Sequence, residues 1–230
     1  MEQNYKFTIA YDGSRFFGWE RQPDRETIQG KLESVLSRLQ GAPVEIIGAG
    51  RTDAGVHARA MVANAVLDVK ESPEEIRDYM NRYLPDAIAV REVKPCAPRF
   101  HARYKAIGKT YRYTVHVGEV KPVFDRKYVT ILPYVPDVEA MRRAAADLVG
   151  EHDFAAFCGN SDSGKFFVCV INDKFADFIL NILADNSYKV AGAAFVSVGF
   201  FRNGFKSRFV IGKIDSLFLK RNTEFIKAKG

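Results

Sequence analysis

The sequence predicts an α+β protein assembled from two similar α+β halves, residues 1–105 and 106–230, and three observations lead there. The first hundred residues alternate between strand-like and helix-like periodicity in the order β-α-β-β-α-β. A second series opens on KTYRYTVHV at 109–117 and runs on to a helical repeat at about 138–148. The 230 residues, 47% of them hydrophobic, are enough for one large domain or two small ones sharing an interface. The similarity of the halves rests on element order, since no residue-level repeat accompanies it.

Taken in order, YKFTIAY at 5–11 alternates as a strand and DGS at 12–14 reads as a turn. From Thr27 to Leu39 the apolar residues Ile28, Leu32, Val35, Leu36 and Leu39 recur at helical spacing, with Thr27 as N-cap and Gly41 as the stop. PVEII at 43–47 is a short strand that enters GAGRTDAGVHARA at 48–60, and Met61, Ala63, Ala65, Leu67 and Val69 form one face of the strand that leaves it. SPEE at 72–75 starts a helix running to Leu84, with Pro in its first turn and acids placed for the helix dipole, and a strand follows at 88–93. After the strand at 109–117 comes a proline-punctuated stretch to Pro136, then a helix from Val138 to Leu148 with Gly150 as its stop. Beyond residue 173 the pattern blurs: FADFILNIL fits helix or strand, whereas VAGAAFVSVGFF and SRFVIGKI read as extended.

Composition narrows the class. MEQNYKF carries no apolar signal core, and no window reaches the length of a membrane span, so a soluble, cytoplasmic protein without a membrane partner is expected. Cys96, Cys158 and Cys169 are odd in number and far apart, which argues against a disulfide framework. His57, His101, His116 and His152 show no metal-ligand spacing either, so no structural metal is expected. A net charge of +6 favours a polyanionic partner. Residues 171–230 hold ten Lys and Arg against five Asp and Glu, so most of the excess sits in the last quarter.

The chemistry concentrates in GAGRTDAGVHARA. Its glycines do not make a dinucleotide fingerprint, because Asp53 stands where GxGxxG needs glycine and no GK[ST] follows. Small residues allow a bulky ligand to approach the backbone while the tight loop presents Asp53. Arg51, two residues earlier, can pair with Asp53 and keep it ionised for nucleophilic attack; the same pair can equally anchor the loop. His57 is a general base or a loop residue bonded to the backbone. The nearest other acid, Asp68, lies out on a strand, so the paired carboxylates of a glycosidase are not in view.

Aromatic residues interleave with cations in SRFFGWERQ (Arg15, Trp19, Arg21), RFHARYK (Arg99, His101, Arg103, Tyr104, Lys105) and KTYRY (Lys109, Tyr111, Arg112). Such segments stack bases and hold phosphates, although in a sheet each aromatic can serve the core instead. Three of them within the first 113 residues favour RNA.

The segments YDGSRFFGWERQ, TIQGKLE, GAGRTDAGVHARA, FHAR and KTYRY, in that order over residues 5–113, resemble the signature segments of the TruA-type tRNA pseudouridine synthases. The resemblance implies two ferredoxin-like or RRM-like halves whose antiparallel sheets join into one, with helices on one face and a central active-site cleft. It implies a homodimeric enzyme that isomerises uridine to pseudouridine in the anticodon stem-loop of tRNA without cofactor or metal. Its catalytic aspartate falls on Asp53, the arginine that places the flipped nucleotide on Arg51, and the tyrosine that stacks on the target base on Tyr111. Arg15, Trp19, Arg21, His57, Arg103 and Lys109 are the expected substrate contacts.

The last third departs from the pattern. The family segment GFLxxMVRxIVG, whose arginine pairs with the aspartate, has its nearest match in NGFKSRFVIGKI, where Arg208 takes the arginine's place and Lys206 stands where methionine is expected. A tRNA-binding protein without turnover and a non-RNA nucleotide-processing enzyme therefore stand as competing readings.

Overall fold

A computed structural model of the chain describes residues 2–106, 108–147, 150–153, 168–171, 181–182, 190–199 and 223–226. Its elements in chain order are β1 (Gln3–Tyr11), α1 (Ile28–Gln40), β2 (Ile47–Gly48), β3 (His57–Leu67), α2 (Pro73–Tyr83), β4 (Ile88–Pro95), β5 (Gly108–Val117), β6 (Thr130–Leu132), α3 (Val138–Ala146), β7 (Gly150–Asp153), β8 (Val168–Ile171), β9 (Asn181–Ile182), β10 (Val190–Gly199) and β11 (Thr223–Ile226). The mixed α+β class expected from the sequence is the class observed. The chain divides into two compact units, Met1–Ala106 with Thr223–Gly230, and Ile107–Asn222.

In the first unit an antiparallel sheet runs β4-β1-β3-β2. With the chain order β-α-β-β-α-β, this is a split β-α-β unit. Inward residues of β1, Tyr5, Phe7, Ile9 and Tyr11, are buried, and Lys6, Thr8 and Ala10 alternate with them. The largest fully buried side chains are Phe7 and Ile9 of β1, Ile28, Leu32 and Leu36 of α1, Ile46 before β2, Met61 and Leu67 of β3, Ile76 and Met80 of α2 and Val90 of β4. Each such side chain contributes about 1.5–3 kcal/mol of burial, so the core, rather than the loops, holds this unit together. At its other edge the start of β3 pairs in parallel with β11, Glu224 opposite His57 and Phe225 opposite Ala58.

Both helices of this unit carry the signals read in the sequence. Thr27 Oγ1 accepts from the Gly30 amide at 3.2 Å, and Gly41, at φ +75°, closes α1 in the left-handed conformation that suits glycine. In α2 the Ser72 hydroxyl accepts from the Glu75 amide at 3.3 Å while the Glu75 carboxylate accepts from the Ser72 amide at 2.8 Å. That reciprocal pair is a capping box.

One strand is shorter than expected. PVEII alternates as a strand, and Val44 and Ile46 are indeed buried, but only Ile47–Gly48 pairs in the sheet. The amides of Val44 and Ile46 are taken by side chains of α1 instead, Ser37 Oγ at 2.9 Å and Glu33 Oε1 at 3.2 Å. Conversely β3 starts earlier than expected, at His57, so the motif contributes a loop of only eight residues, 49–56, and then enters the sheet.

The second unit is described in part. β5 pairs antiparallel with β10 from Val117–Val190 to Gly108–Gly199, and β10 with β9. β6 runs parallel to the end of β5, and β7 pairs antiparallel with β8. The extended reading of VAGAAFVSVGFF agrees with β10. FADFILNIL is described only at β9, and SRFVIGKI lies outside the described residues.

Candidate active site

The loop 49–56 leaves β2 and enters β3, and a second loop, 12–20, lies along it. Two backbone bonds lace the two, Trp19 N donating to Thr52 O at 2.9 Å and Gly55 N to Phe16 O at 3.3 Å, and Gly13 N donates to the side chain of His57 at the start of β3, at 3.1 Å from Nδ1. Within the loop 49–56 Val56 N donates to Asp53 O at 3.1 Å, and Gly55 sits at φ +82°. Thr52 is further held through its side chain, whose Oγ1 lies 2.9 Å from the Tyr11 hydroxyl. Thr52, Val56 and His57 are therefore buried, and Asp53 is exposed between them. The carboxylate stands at the tip of a loop fixed on both sides.

The small residues have a steric explanation. A Cβ on Gly13 would meet Val56 O at 2.0 Å, and one on Gly18, itself at φ +91°, would meet Thr52 O at 2.6 Å. A Cβ on Gly48 would meet the Trp19 ring at 2.6 Å. The glycines thus serve first to let the two loops touch, and any approach of a ligand is built on that contact.

Burial pushes the Tyr11 phenol far above its ordinary value, and its bond to Thr52 opposes this more weakly. Tyr11 is thereby a neutral partner beneath Thr52. Glu33 of α1, 5% exposed, accepts from Ile46 N at 3.2 Å and Gln29 Nε2 at 3.0 Å and pairs with Arg21 at 3.2 Å. Gln29 also receives the Arg21 amide at 3.1 Å and donates to Ile46 O at 3.1 Å. The segment TIQGKLE is consequently the bracket that fastens both loops to α1.

The expected contacts fall into groups. Arg51 pairs with Glu20, not with Asp53, because the Trp19–Thr52 bond lays Glu20 alongside Arg51. Both partners are about half exposed, so that pair contributes little to stability. Trp19 is 3% exposed, 6.1 Å from the Tyr11 ring and against Gly48; its indole packs the loops and offers no open stacking face. His57, 4% exposed, has Nδ1 within reach of the Gly13 amide and 3.0 Å from Asp12 Oδ1, a structural position under the loop. Arg15 is exposed at the end of the 3-10 turn Gly13–Arg15, and Arg103 is exposed in the turn after β4. Lys109 and Tyr111 lie on β5, opposite Val198 and Val196 of β10, with only their backbone described. Arg208 lies outside the described residues.

Sequence reasoning missed Tyr11, Thr52, Gln29 and Glu33, and the buried pair Asn4 and Asn64. Most of their partners are distant in sequence, from Arg21 with Glu33, 12 positions apart, to Asn4 with Phe100, 96 apart, which no local pattern displays.

A family model described as tRNA pseudouridine synthase matches residues 8–105, the span that contains both loops, α1 and the FHAR segment. Tyr111 and everything after it fall outside that match. A Bacillus anthracis protein named tRNA pseudouridine synthase A 2 is 46% identical over 166 residues, 72% of this chain and 68% of its own length. The tRNA pseudouridine synthase A of Bacillus sp. strain KSM-64 is 47% identical over 163 residues, 70% of this chain and 66% of its own. That of Caldicellulosiruptor bescii is 36% identical over 176 residues, 76% and 72%. Identity of this level over more than two thirds of a relative's length, together with the laced loops around Asp53, places the chain in the TruA-type tRNA pseudouridine synthase family.

Proposed function

We propose that this chain isomerises uridine to pseudouridine in the anticodon stem-loop of tRNA, with Asp53 as the nucleophile. The observation that carries the reading is the display of Asp53: an exposed carboxylate between Thr52 and Val56, both buried and hydrogen-bonded. A nucleophile must reach its target without reorganising, and a loop held on both sides provides that.

In the reaction the N1–C1′ bond breaks, the uracil turns while held, and a C5–C1′ bond forms as the C5 proton leaves and N1 gains one. Substrate and product are isomers, so the step consumes no oxidant, reductant or group donor. The Asp53 carboxylate adds to C1′ of the ribose or to C6 of the uracil. A paired base hides both atoms, so the nucleotide is extruded at a cost of a few kcal/mol, offset by stacking and backbone contacts. Tyr111 supplies the stack, Arg51 leaves Glu20 to place the flipped nucleotide, and Arg208 pairs with Asp53. Arg15, Arg21, Arg103 and Lys109 meet phosphates. The burial of Trp19 and His57 supports loop packing as their contribution. Two ferredoxin-like halves with joined sheets, a cleft between them, a homodimer and a cytoplasmic location complete the proposal.

Departure of residues 174–230 from the family pattern keeps one other reading in play, tRNA binding without turnover. Tritium release from tRNA labelled at C5 of uridine separates the two. Turnover predicts release by the wild-type protein in step with pseudouridine formed. Bound tRNA with no release would favour the binding-only reading.

A further inference from the structure

The segment RFHARYK, 99–105, is built in a way that the catalytic loop does not explain. Tyr104 is 76% exposed, and its ring stacks on His101 with centroids 4.1 Å apart and planes at 28°. One ring face is covered and the other is open. Arg99, Arg103 and Lys105 flank it in sequence, all exposed, and among the described residues none of the three has a carboxylate partner.

This turn is nonetheless held rigidly from below. Asn4 and Asn64, each 4% exposed, bond to one another at 3.2 Å. Asn4 Nδ2 donates to Phe100 O at 2.9 Å, and Asn64 Oδ1 accepts from Ala102 N at 2.8 Å. Lys105 N closes the turn on His101 O at 2.9 Å, and Tyr104 N lies 3.3 Å from His101 Nδ1. Burying two amides is favourable only because each finds partners. Here those partners lie in the backbone that presents the aromatic pair. An exposed aromatic face, three cations without acids and a fixed backbone make a preorganised surface for a nucleic acid.

We infer that the His101–Tyr104 stack is a docking platform for an unpaired nucleotide of the RNA substrate, with Arg99, Arg103 and Lys105 holding the flanking phosphates; the inference rests on the RNA reading of the catalytic loop. An open ring face stacks on a base only when that base is itself unstacked, which selects single-stranded RNA over duplex. Its anchor, Asn64, lies seven residues along β3 from His57, roughly 23 Å at the rise of an extended strand.

The test uses the full chain and transcribed tRNA, measuring Kd, kcat and KM by tritium release for wild type, Tyr104→Ala, Tyr104→Trp and Arg103→Gln. Tyr104→Ala should raise Kd and KM about tenfold with kcat at saturation within about twofold, and Tyr104→Trp should restore the affinity. Arg103→Gln should weaken binding and lower the slope of log Kd against log salt by about one, a slope Tyr104→Ala leaves unchanged. Affinity of Tyr104→Ala within twofold of wild type would overturn the platform while leaving wild-type turnover, and so the catalytic reading, standing. A loss that Trp does not restore, or one that follows a changed oligomeric state with no change in tRNA affinity, would overturn it equally. Absence of tRNA binding by the wild type would reject the RNA reading itself.

Discussion

At the scale of residues, the position of Asp53 is decided by buried groups beneath its loop. Tyr11 and Thr52 bond across 41 residues of chain, and Trp19 N holds the Thr52 carbonyl from the other side. Tyr11→Phe leaves the buried Thr52 hydroxyl without that partner, and we expect a loss of about 1–3 kcal/mol in urea denaturation. The pH dependence has a defined sign. Because the folded protein raises the Tyr11 pKa, the stability linked to it is complete below the phenol's ordinary value of about 10 and is lost as pH rises above it. Wild type should therefore weaken more steeply than Tyr11→Phe in denaturation series above pH 10. Gly18→Ala meets both a positive φ and a carbonyl at 2.6 Å, and should lower stability by more than about 1 kcal/mol along with activity. Asp53 itself was legible in the sequence, because an acid among glycines and alanines is a local pattern. Tyr11, Gln29 and Glu33 were not, because their work is done on segments distant in sequence. Arg51 shows the same limit: spacing offered Asp53 as its partner, and tertiary contact supplies Glu20.

At the scale of elements, α1, α2, β1 and β4 were readable because their periodicity and caps are local. The capping box at Ser72 and Glu75 was signalled by SPEE, and Ser72→Ala should cost about 1 kcal/mol in urea denaturation. The bonds from Ser72 hold the Glu75 pKa below its ordinary value. What this carboxylate contributes is therefore present above its ordinary value and is lost as pH falls through the lowered folded value, so the stability difference between Glu75→Ala and wild type should narrow in acid. β2 shows where local reading stops: the apolar alternation of PVEII is real, yet Ser37 and Glu33 of α1 take the amides that would have joined the sheet. The loop is short for the same reason that β3 is long, since His57 already belongs to the sheet.

At the scale of the whole molecule, the net charge of +6 and the family membership point to one partner, a polyanion. Binding of tRNA should weaken steeply with salt, log Kd rising linearly with log salt over 50–200 mM, as counterion release requires. A flat dependence would argue for a small nucleotide in place of tRNA. The central claim is that Asp53 is the nucleophile, and the most direct test compares wild type with Asp53→Ala in tritium release from C5-labelled uridine in tRNA. The account predicts release by wild type and a loss of about a thousandfold or more in the variant, with tRNA affinity and melting temperature retained. Release from folded Asp53→Ala at the wild-type rate would contradict it.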